Sequence, residues 1–355
     1  MSLASLGWSD FFAAALAEPA LAHLVPARVL SEERGRYQVS TGTEELTAVA
    51  AGALRHGAGG KLGLPAVGDW VGLRPRGGGE DLALISALLP RRSSFVRQAA
   101  GDRVQAQVVA ANVDTVFLMM GLDGDFNLRR LERYLALAWE SGAAPVVLLN
   151  KADLCEELPA RLQEVEALAL GAPVHALSAL EAQGVDAVRP YLRAGETVAL
   201  LGSSGVGKST LLNLLLGEEV QRTAGVREAD SRGRHTTTRR ELFRLPGGAL
   251  MLDTPGMREL QLWAADEGLA HAFADLETLA SGCHFRDCRH EDEPGCAVRL
   301  AVEAGTLAPE RLHSFHKLSA ELAHAAEKQD IQARLARKRQ DKARSKLVKR
   351  YYQGD

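Results

Sequence analysis

The sequence lacks a long apolar run, a secretory leader and any abundance of cysteine. No stretch approaches the roughly 18 apolar residues that a membrane-spanning helix needs. The first 25 residues contain neither a basic leader nor a clear cleavage site, so we predict no signal peptide. No coiled-coil seam or internal repeat is evident, which makes a monomer the default expectation. Together these absences favour a cytoplasmic protein that binds no membrane.

The composition is ordinary, but the charge is unevenly distributed. A chain of 355 residues with 46% hydrophobic and 25% charged residues is typical of a globular protein with two or three domains. Residues 334–350 hold nine Lys or Arg and one Asp, a net of +8 within a total of −3, so the rest carries −11. This segment predicts an anionic partner, with nucleic acid favoured over membrane. A solvated basic helix is the alternative.

The pattern of apolar and Gly-rich stretches along the sequence predicts a multidomain α/β protein. After an N-terminal tail (1–24), short apolar stretches alternate with Gly-rich turns over 25–90. This pattern favours a small β-barrel of the oligonucleotide-binding (OB) type, with an SH3-like barrel as the alternative. Over 91–262, a basic connector (91–110) leads into strands that alternate with helices, which predicts a mainly parallel sheet. The last part, 263–355, is predicted to be helical.

A glycine-rich segment, GSSGVGKST, lies between a predicted strand and a predicted helix. It fits the phosphate-loop pattern GxxxxGK[ST], and this context supports the match. The loop's backbone N–H groups and the N-terminus of the helix can enclose phosphates. Lys208 can reach the β- and γ-phosphates, and Ser209 can ligate magnesium. The predicted phosphate-binding residues are Gly202, Ser203, Ser204, Gly205, Val206, Gly207, Lys208, Ser209 and Thr210.

The tetrapeptide NKAD, at the end of another predicted strand, indicates that the base is guanine. The Asp153 carboxylate can accept hydrogen bonds from guanine N1–H and the 2-amino group, and adenine has neither donor. Asn150 can bond the other edge of the purine, while the Lys151 stem covers its face. Ser178 and Ala179, after the next strand, fit the loop whose backbone N–H meets the guanine carbonyl. NKxD alone arises by chance, but a phosphate loop in the same domain argues against chance.

Two further segments complete the pattern of a GTPase. DTPG, from Asp253 to Gly256, fits DxxG, in which the carboxylate holds magnesium through a water and the glycine N–H contacts the γ-phosphate. The polar segment 231–240 has the character of a first switch. We predict that Thr237 joins Ser209 in ligating magnesium, with the threonines on either side of Thr237 as alternatives.

A cysteine and histidine cluster predicts a metal site in the C-terminal part. Cys283, Cys288, His290 and Cys296 supply three thiolates and one imidazole, a complete tetrahedral set for one structural zinc ion. His284 is a rival ligand, although its position beside Cys283 makes joint ligation awkward. Chance clustering is the remaining alternative.

The order of these motifs is unusual, because NKAD precedes the phosphate loop. The usual GTPase order, cut once and rejoined, gives this order, and motifs at the carboxyl ends of parallel strands still converge. NKAD, GSSGVGKST, GRHTTT, DTPG and CHFRDCRHEDEPGC, behind a predicted barrel, resemble the ribosome small-subunit-dependent GTPase A (RsgA) family over nearly the whole chain. The resemblance implies an OB barrel, a permuted GTPase domain and a zinc domain. It also implies GTP hydrolysis stimulated by the 30S subunit, a role in late 30S maturation, and contact with 16S rRNA.

The residue after DTPG bears on the mechanism. Ras-like enzymes place a water-orienting Gln there, whereas this chain has Met257, which predicts slow intrinsic turnover. By the resemblance, His235 is the predicted catalytic residue. The alternative is a plain surface histidine, with Arg232, Arg234 or Arg239 neutralising charge or contacting rRNA instead. Met257 also favours a rival reading, an RNA-binding module whose nucleotide is mainly structural. A P-loop ATPase is disfavoured by NKAD.

Overall fold

The computed structural model describes residues 2–58, 60–75, 82–98, 106–217, 240–253, 266–324 and 326–327. The strands are β1 (Val25–Glu33), β2 (Arg36–Ser40), β3 (Glu45–Ala50), β4 (Trp70–Leu73), β5 (Ala83–Leu88), β6 (Ser94–Gln98), β7 (Ala106–Ala111), β8 (Thr115–Gly121), β9 (Ala144–Asn150), β10 (Val174–Ala176), β11 (Thr197–Gly202), β12 (Arg240–Arg244) and β13 (Leu250–Asp253). The helices are α1 (Asp10–Leu16), α2 (Gly52–Gly57), α3 (Leu128–Ser141), α4 (Leu158–Leu168), α5 (Lys208–Leu216), α6 (Asp266–Ala272), α7 (Ala274–Ala280), α8 (Ala297–Glu303) and α9 (309–324).

The first five strands close into a small barrel. β1 pairs antiparallel with both β2 and β4, and β3 pairs parallel with β5, so the order β1-β2-β3-β5-β4 returns to β1. Alternate side chains along β5 are buried, as expected for strands with one face toward a core. Val29, Val39, Val71 and Ile85 fill the interior. A closed five-stranded barrel agrees with the predicted OB-like fold.

Two further segments pack beside the barrel. The N-terminal segment packs on the barrel, where Leu6 and Phe12 are buried against Trp70. The predicted connector over 91–110 instead contains β6 and β7, which pair antiparallel in a separate two-stranded sheet. Phe95 is buried in the main core of the chain, which explains why this short sheet is held in place.

The second unit is a mainly parallel sheet, as predicted. β10, β9, β8, β11 and β13 run parallel in that spatial order, and β12 lies antiparallel beside β13. All seven residues of β8 are buried, as is normal for a parallel strand with both faces covered. β8 to β10 precede β11 in the chain and lie on one side of it, whereas β12 and β13 follow it and lie on the other. This arrangement is the one expected of a permuted GTPase.

Helices of the C-terminal part pack against α3. Gly268 of α6 lies so close to α3 that a Cβ atom there would be 2.5 Å from the carbonyl oxygen of Ala136. The fully buried carboxylate of Glu132 accepts hydrogen bonds from Arg311 (2.9 Å) and from the Ser314 hydroxyl. The C-terminal helices therefore share one hydrophobic core with the parallel sheet.

None of the helices within the described residues combines the length and the apolar character needed to cross a membrane.

Candidate nucleotide site and metal centre

The loop between β11 and α5 has the backbone shape that its glycines permit. Gly205 and Gly207 adopt left-handed conformations, with φ of 77° and 103°. A Cβ atom on Gly207 would lie 2.1 Å from the Asn150 side-chain nitrogen, and one on Gly202 would lie 2.5 Å from the Met119 carbonyl oxygen. Only glycine therefore fits where the loop presses against β8 and β9.

The remaining residues of this loop bring a lysine and a helix N-terminus together. The Lys208 ammonium donates to the carbonyl oxygens of Gly202, at 2.8 Å, and of Ser203. Ser209 and Thr210 follow in the first turn of α5, where backbone N–H groups lack helical partners. Ser204 is exposed on the loop, and Val206 is buried beneath it. A charged ammonium and a helix N-terminus therefore meet at one loop, an arrangement suited to binding phosphates.

Asn150 joins the three predicted nucleotide-binding segments. It ends β9 and is only 3% exposed. Its side-chain nitrogen donates to the Val206 carbonyl oxygen in the phosphate loop at 2.7 Å. Its side-chain oxygen accepts from the Ala179 backbone N–H at 2.9 Å. NKAD, the Ser178-Ala179 loop and the phosphate loop therefore meet around one amide, although the phosphate loop follows NKAD in the chain.

The segments around Asn150 are also well defined. Lys151 adopts a left-handed conformation with φ of 64°, which is costly for a residue with a side chain. The Ser178 loop is closed by two backbone hydrogen bonds between Ser178 and Gln183, at 2.9 and 3.0 Å. Asp153 lies in the turn after Lys151 and is exposed. Its carboxylate is therefore accessible to a ligand.

Two acidic residues at this site did not feature among the predicted ones. Asp123 and Asp125 lie in the loop between β8 and α3. A carboxylate oxygen of Asp123 lies 2.5 Å from the Lys151 ammonium, and Asp125 accepts a hydrogen bond from the Ser203 hydroxyl. Their one sequence signal is their place directly after a buried strand, because ligand sites of α/β sheets form at the carboxyl ends of strands.

The remaining predicted residues are only partly covered. Asp253 ends β13, which pairs with the phosphate-loop strand β11, so the backbone of DTPG begins at the expected edge of the sheet. The Asp253 side chain lies outside the described residues, as do Gly256, Thr237 and His235. The basic segment 334–350 and Met257 also lie outside them.

The four predicted metal ligands are brought together in the C-terminal part. Ligand atoms of Cys283, Cys288, His290 and Cys296 all lie within 4.8 Å of one another. The His290 Nδ1 atom lies 3.4 Å from the Cys296 sulfur and 3.7 Å from the Cys283 sulfur. Tetrahedral zinc with sulfur bonds of about 2.3 Å needs ligand atoms about 3.8 Å apart, so the cluster has suitable dimensions to hold a metal ion.

Local structure supports this cluster as a metal centre. Burial lowers the pKa of His290, and nearby His316 acts in the same direction, so the imidazole is neutral at neutral pH. Neutral imidazole is the form that ligates metals. Cys296 is the N-cap residue of α8, and its sulfur accepts from the Arg299 backbone N–H at 3.5 Å. His284 is not part of this group of ligands. Its ring instead packs edge-on against Phe285, with the ring centroids 4.7 Å apart.

Comparison with known proteins gives consistent matches. The sequence model described as RsgA GTPase matches residues 88–263. A protein from Opitutus terrae, named small ribosomal subunit biogenesis GTPase RsgA, is 51% identical over 348 residues, which is 96% of this chain and 95% of that protein.

Solved structures agree with this result. YjeQ from Thermotoga maritima superposes with a TM-score of 0.63 and 28% identity, over 84% of this chain and 98% of that one. YloQ, described as a circularly permuted GTPase, gives a TM-score of 0.60 at 23% identity, over 85% of this chain and 96% of that one. The YloQ match, at this low identity, shows likeness of fold alone.

Proposed function

Because the chain belongs to the RsgA GTPase family, a family of GTP hydrolases, we propose that it acts in late maturation of the 30S ribosomal subunit. In this proposal the 30S subunit stimulates its turnover, and the chain binds 16S rRNA. The observation that carries the proposal is the Asn150 amide, which ties the base-reading loops to the phosphate loop. In this proposal, that junction brings segments in permuted order together into one guanine nucleotide site.

The chain's own groups have distinct proposed roles at this site. Asp153 accepts hydrogen bonds from guanine, and the Lys151 stem lies over the base. The Lys208 ammonium and the loop's N–H groups neutralise and orient the phosphates. Magnesium, when bound, would supply positive charge at the β- and γ-phosphates, held by Ser209 and Thr237. The proposed GTP-contacting residues are Asn150, Lys151, Asp153, Ser178, Ala179, Gly202, Ser203, Ser204, Gly205, Val206, Gly207, Lys208, Ser209, Thr210, Thr237, Asp253 and Gly256.

Hydrolysis needs a group that orients the attacking water. Met257 follows DTPG and can neither donate nor accept a useful hydrogen bond. We therefore propose that His235 orients the water, and that this step becomes efficient when the 30S subunit is bound. The protein is proposed to work as a cytoplasmic monomer, with the basic segment 334–350 and the barrel as RNA contacts.

The Cys/His cluster is proposed to hold one structural zinc ion. Four protein ligands would leave no open coordination position, so zinc would supply folding energy rather than chemistry. We also propose domain boundaries after residues 24, 90 and 262. In support, the barrel strands begin at Val25 and end at Leu88, and the matched family region ends at residue 263.

Turnover of GTP with and without purified 30S subunits tests this function. We expect slow multiple turnover by the protein alone and strong stimulation by 30S subunits. ATP should not compete with labelled GTP, because adenine lacks the donors that Asp153 accepts. His235→Ala should lose the stimulation while keeping GTP affinity. Absence of any stimulation would favour the alternative, an RNA-binding assembly module with a mainly structural nucleotide.

A further inference from the structure

The loop between β8 and α3 contacts both halves of the nucleotide site. Asp123 forms an ion pair with Lys151 of NKAD at 2.5 Å. Asp125 accepts from the Ser203 hydroxyl in the phosphate loop. The two acidic residues are separated by one glycine in sequence, yet they contact segments more than 50 residues apart in the chain. This stretch belongs to none of the GTPase motifs described above, and we call residues 122–127 the acidic loop.

The acidic loop is itself held in a fixed conformation. Its Leu122 N–H donates to the Asn150 carbonyl oxygen at 2.8 Å, which joins the loop to the first residue of NKAD. The Asp125 N–H donates to an Asp123 carboxylate oxygen at 3.1 Å. At the far end, the Asn127 side chain caps α3 by accepting from the Arg130 N–H at 3.0 Å. Both carboxylates are therefore presented from a backbone that is bonded at each end.

The charges at the two carboxylates match their partners. The hydrogen bond from Lys151 lowers the pKa of Asp123 despite partial burial, so the carboxylate is ionised at neutral pH. Asp125 also forms an ion pair with Arg130 of α3 at 2.8 Å. The Asp123 and Lys151 side chains are both about 30% exposed, so part of the lysine side chain remains accessible to a ligand.

We propose that the acidic loop positions two side chains of the nucleotide site. Asp123 holds the Lys151 stem in the orientation that covers the base, and Asp125 holds the phosphate loop through Ser203. The proposal rests on the proposed guanine nucleotide site. A free lysine side chain samples many rotamers and must be ordered when the base binds. An ion pair present beforehand removes part of that entropic cost, which is how preorganisation raises affinity.

The expected effect is a loss of affinity that falls equally on GDP and GTP. Neither Asp123 nor Lys151 reads the γ-phosphate, so their contribution is uniform binding, which changes KM rather than kcat. Ordering one long side chain corresponds to about a three- to tenfold change in Kd. Asp123→Ala should show this change, while Asp123→Asn should show a smaller one, because its amide oxygen can still accept from Lys151.

The experiment measures Kd for fluorescent GDP and GTP analogues, with 30S-stimulated kcat and KM measured in parallel. Asp186→Ala is the matched control. Asp186 also forms an ion pair, with Arg189 at 2.6 Å, but this pair lies on an exposed surface. The Kd of this variant should equal that of the wild type. A general loss of structure in the Asp123 variants would lower kcat and the melting temperature together. A loss of side-chain positioning alone would change Kd and leave both of those unchanged.

Double mutants make the test specific to each contact. If Asp123 acts through Lys151, Asp123→Ala should add nothing to the loss caused by Lys151→Ala. Likewise, Asp125→Ala should add nothing to the loss caused by Ser203→Ala. Unchanged Kd in Asp123→Ala, or losses that simply add, would overturn the proposal. If the wild-type protein failed to bind GDP at all, the proposed function would be wrong instead.

Discussion

Among single residues, two glycines of the phosphate loop share a left-handed backbone but have different surroundings. A Cβ atom at Gly207 would lie 2.1 Å from the buried Asn150 nitrogen, whereas nothing lies within 4 Å of one at Gly205. Gly207→Ala should therefore displace the amide that joins the base and phosphate segments. We expect a loss of GDP affinity well beyond tenfold, because overpacking and left-handed strain together cost about 2–5 kcal/mol.

Gly205→Ala is the matched control for this prediction. It carries similar backbone strain, of about 1–2 kcal/mol, without the collision. Equilibrium GDP binding and thermal melting of both variants give the comparison. Equal losses in the two variants would mean that strain alone matters, and that the Asn150 junction does not control affinity.

At the residue scale, motifs made it possible to predict which segments meet, but residues outside a motif could not be placed. NKAD and the phosphate loop could be expected to converge, because both follow strands of one parallel sheet. Asp123 and Asp125 could not be assigned roles, since an acidic pair in a loop has no sequence signal for its partner. Their partners become visible only when β8, β9 and β11 lie side by side.

Among the elements, α3 carries the contact between the parallel sheet and the C-terminal helices. Arg311 of α9 donates to Glu132 of α3 and to Asp275 of α7. Burial works to lower the pKa of Arg311, but its pairing with Asp275 and Glu132 outweighs that effect and raises it. The contact is thus a buried network of charges, and removing one partner leaves the other charge buried with less compensation.

Arg311→Ala should destabilise the protein by about 3 kcal/mol, because it removes the buried cation of Glu132 and leaves that carboxylate only the more exposed Arg129 as an ion-pair partner. Urea unfolding of the nucleotide-free protein measures the change. Arg189→Ala is the control, since Arg189 forms an exposed pair whose loss should cost under about 1 kcal/mol. Replacing Arg311 by Met and Glu132 by Leu together should recover much of the stability. A double variant as unstable as Arg311→Ala would contradict this explanation.

Element boundaries show where local signals are sufficient. β9 spans Ala144–Asn150, and α5 ends at Leu216 before left-handed Gly217, as apolar runs and a terminal glycine predict. In contrast, α4 ends at Leu168, three residues before left-handed Gly171, so that glycine does not mark the end of the helix. β10 contains only three paired residues. Its length is set by its pairing with β9 and not by the local run of apolar residues.

Across the whole molecule, hydrogen bonds join the barrel and the parallel sheet. β1 of the barrel pairs antiparallel with β12, so eleven strands form one continuous sheet. The buried Arg28 side chain of β1 donates to the Asn112 carbonyl oxygen at 3.2 Å and to the Thr197 hydroxyl of β11 at 2.7 Å. Burial lowers the pKa of Arg28 to about 10, which still leaves it charged at neutral pH. No sequence motif predicts this junction, since strand pairing between units leaves no local pattern.

The Cys/His cluster is packed against the same hydrophobic core as the parallel sheet. Cys296 is buried in the hydrophobic core that also contains Leu276 of α7 and Leu131 of α3. Without a metal ion, three thiols and an imidazole would have to pack together without a common partner. The segment from Cys283 to Cys296 contains no α-helix or strand, so it has little other means of staying folded.

Removing the metal should therefore loosen the C-terminal helices while leaving the nucleotide site intact. We expect one zinc ion per chain by native mass spectrometry, and none in Cys288→Ser. Hydrogen exchange in Cys288→Ser should rise across 266–324, whereas GDP affinity should stay within about threefold of the wild type, because Asn150 and Lys208 lie on other elements. Cys155→Ser is the control, since Cys155 is half-buried but is not part of the cluster. Exchange that rises equally in both variants, or a full zinc content in Cys288→Ser, would show that the cluster is not the metal centre on which these helices depend.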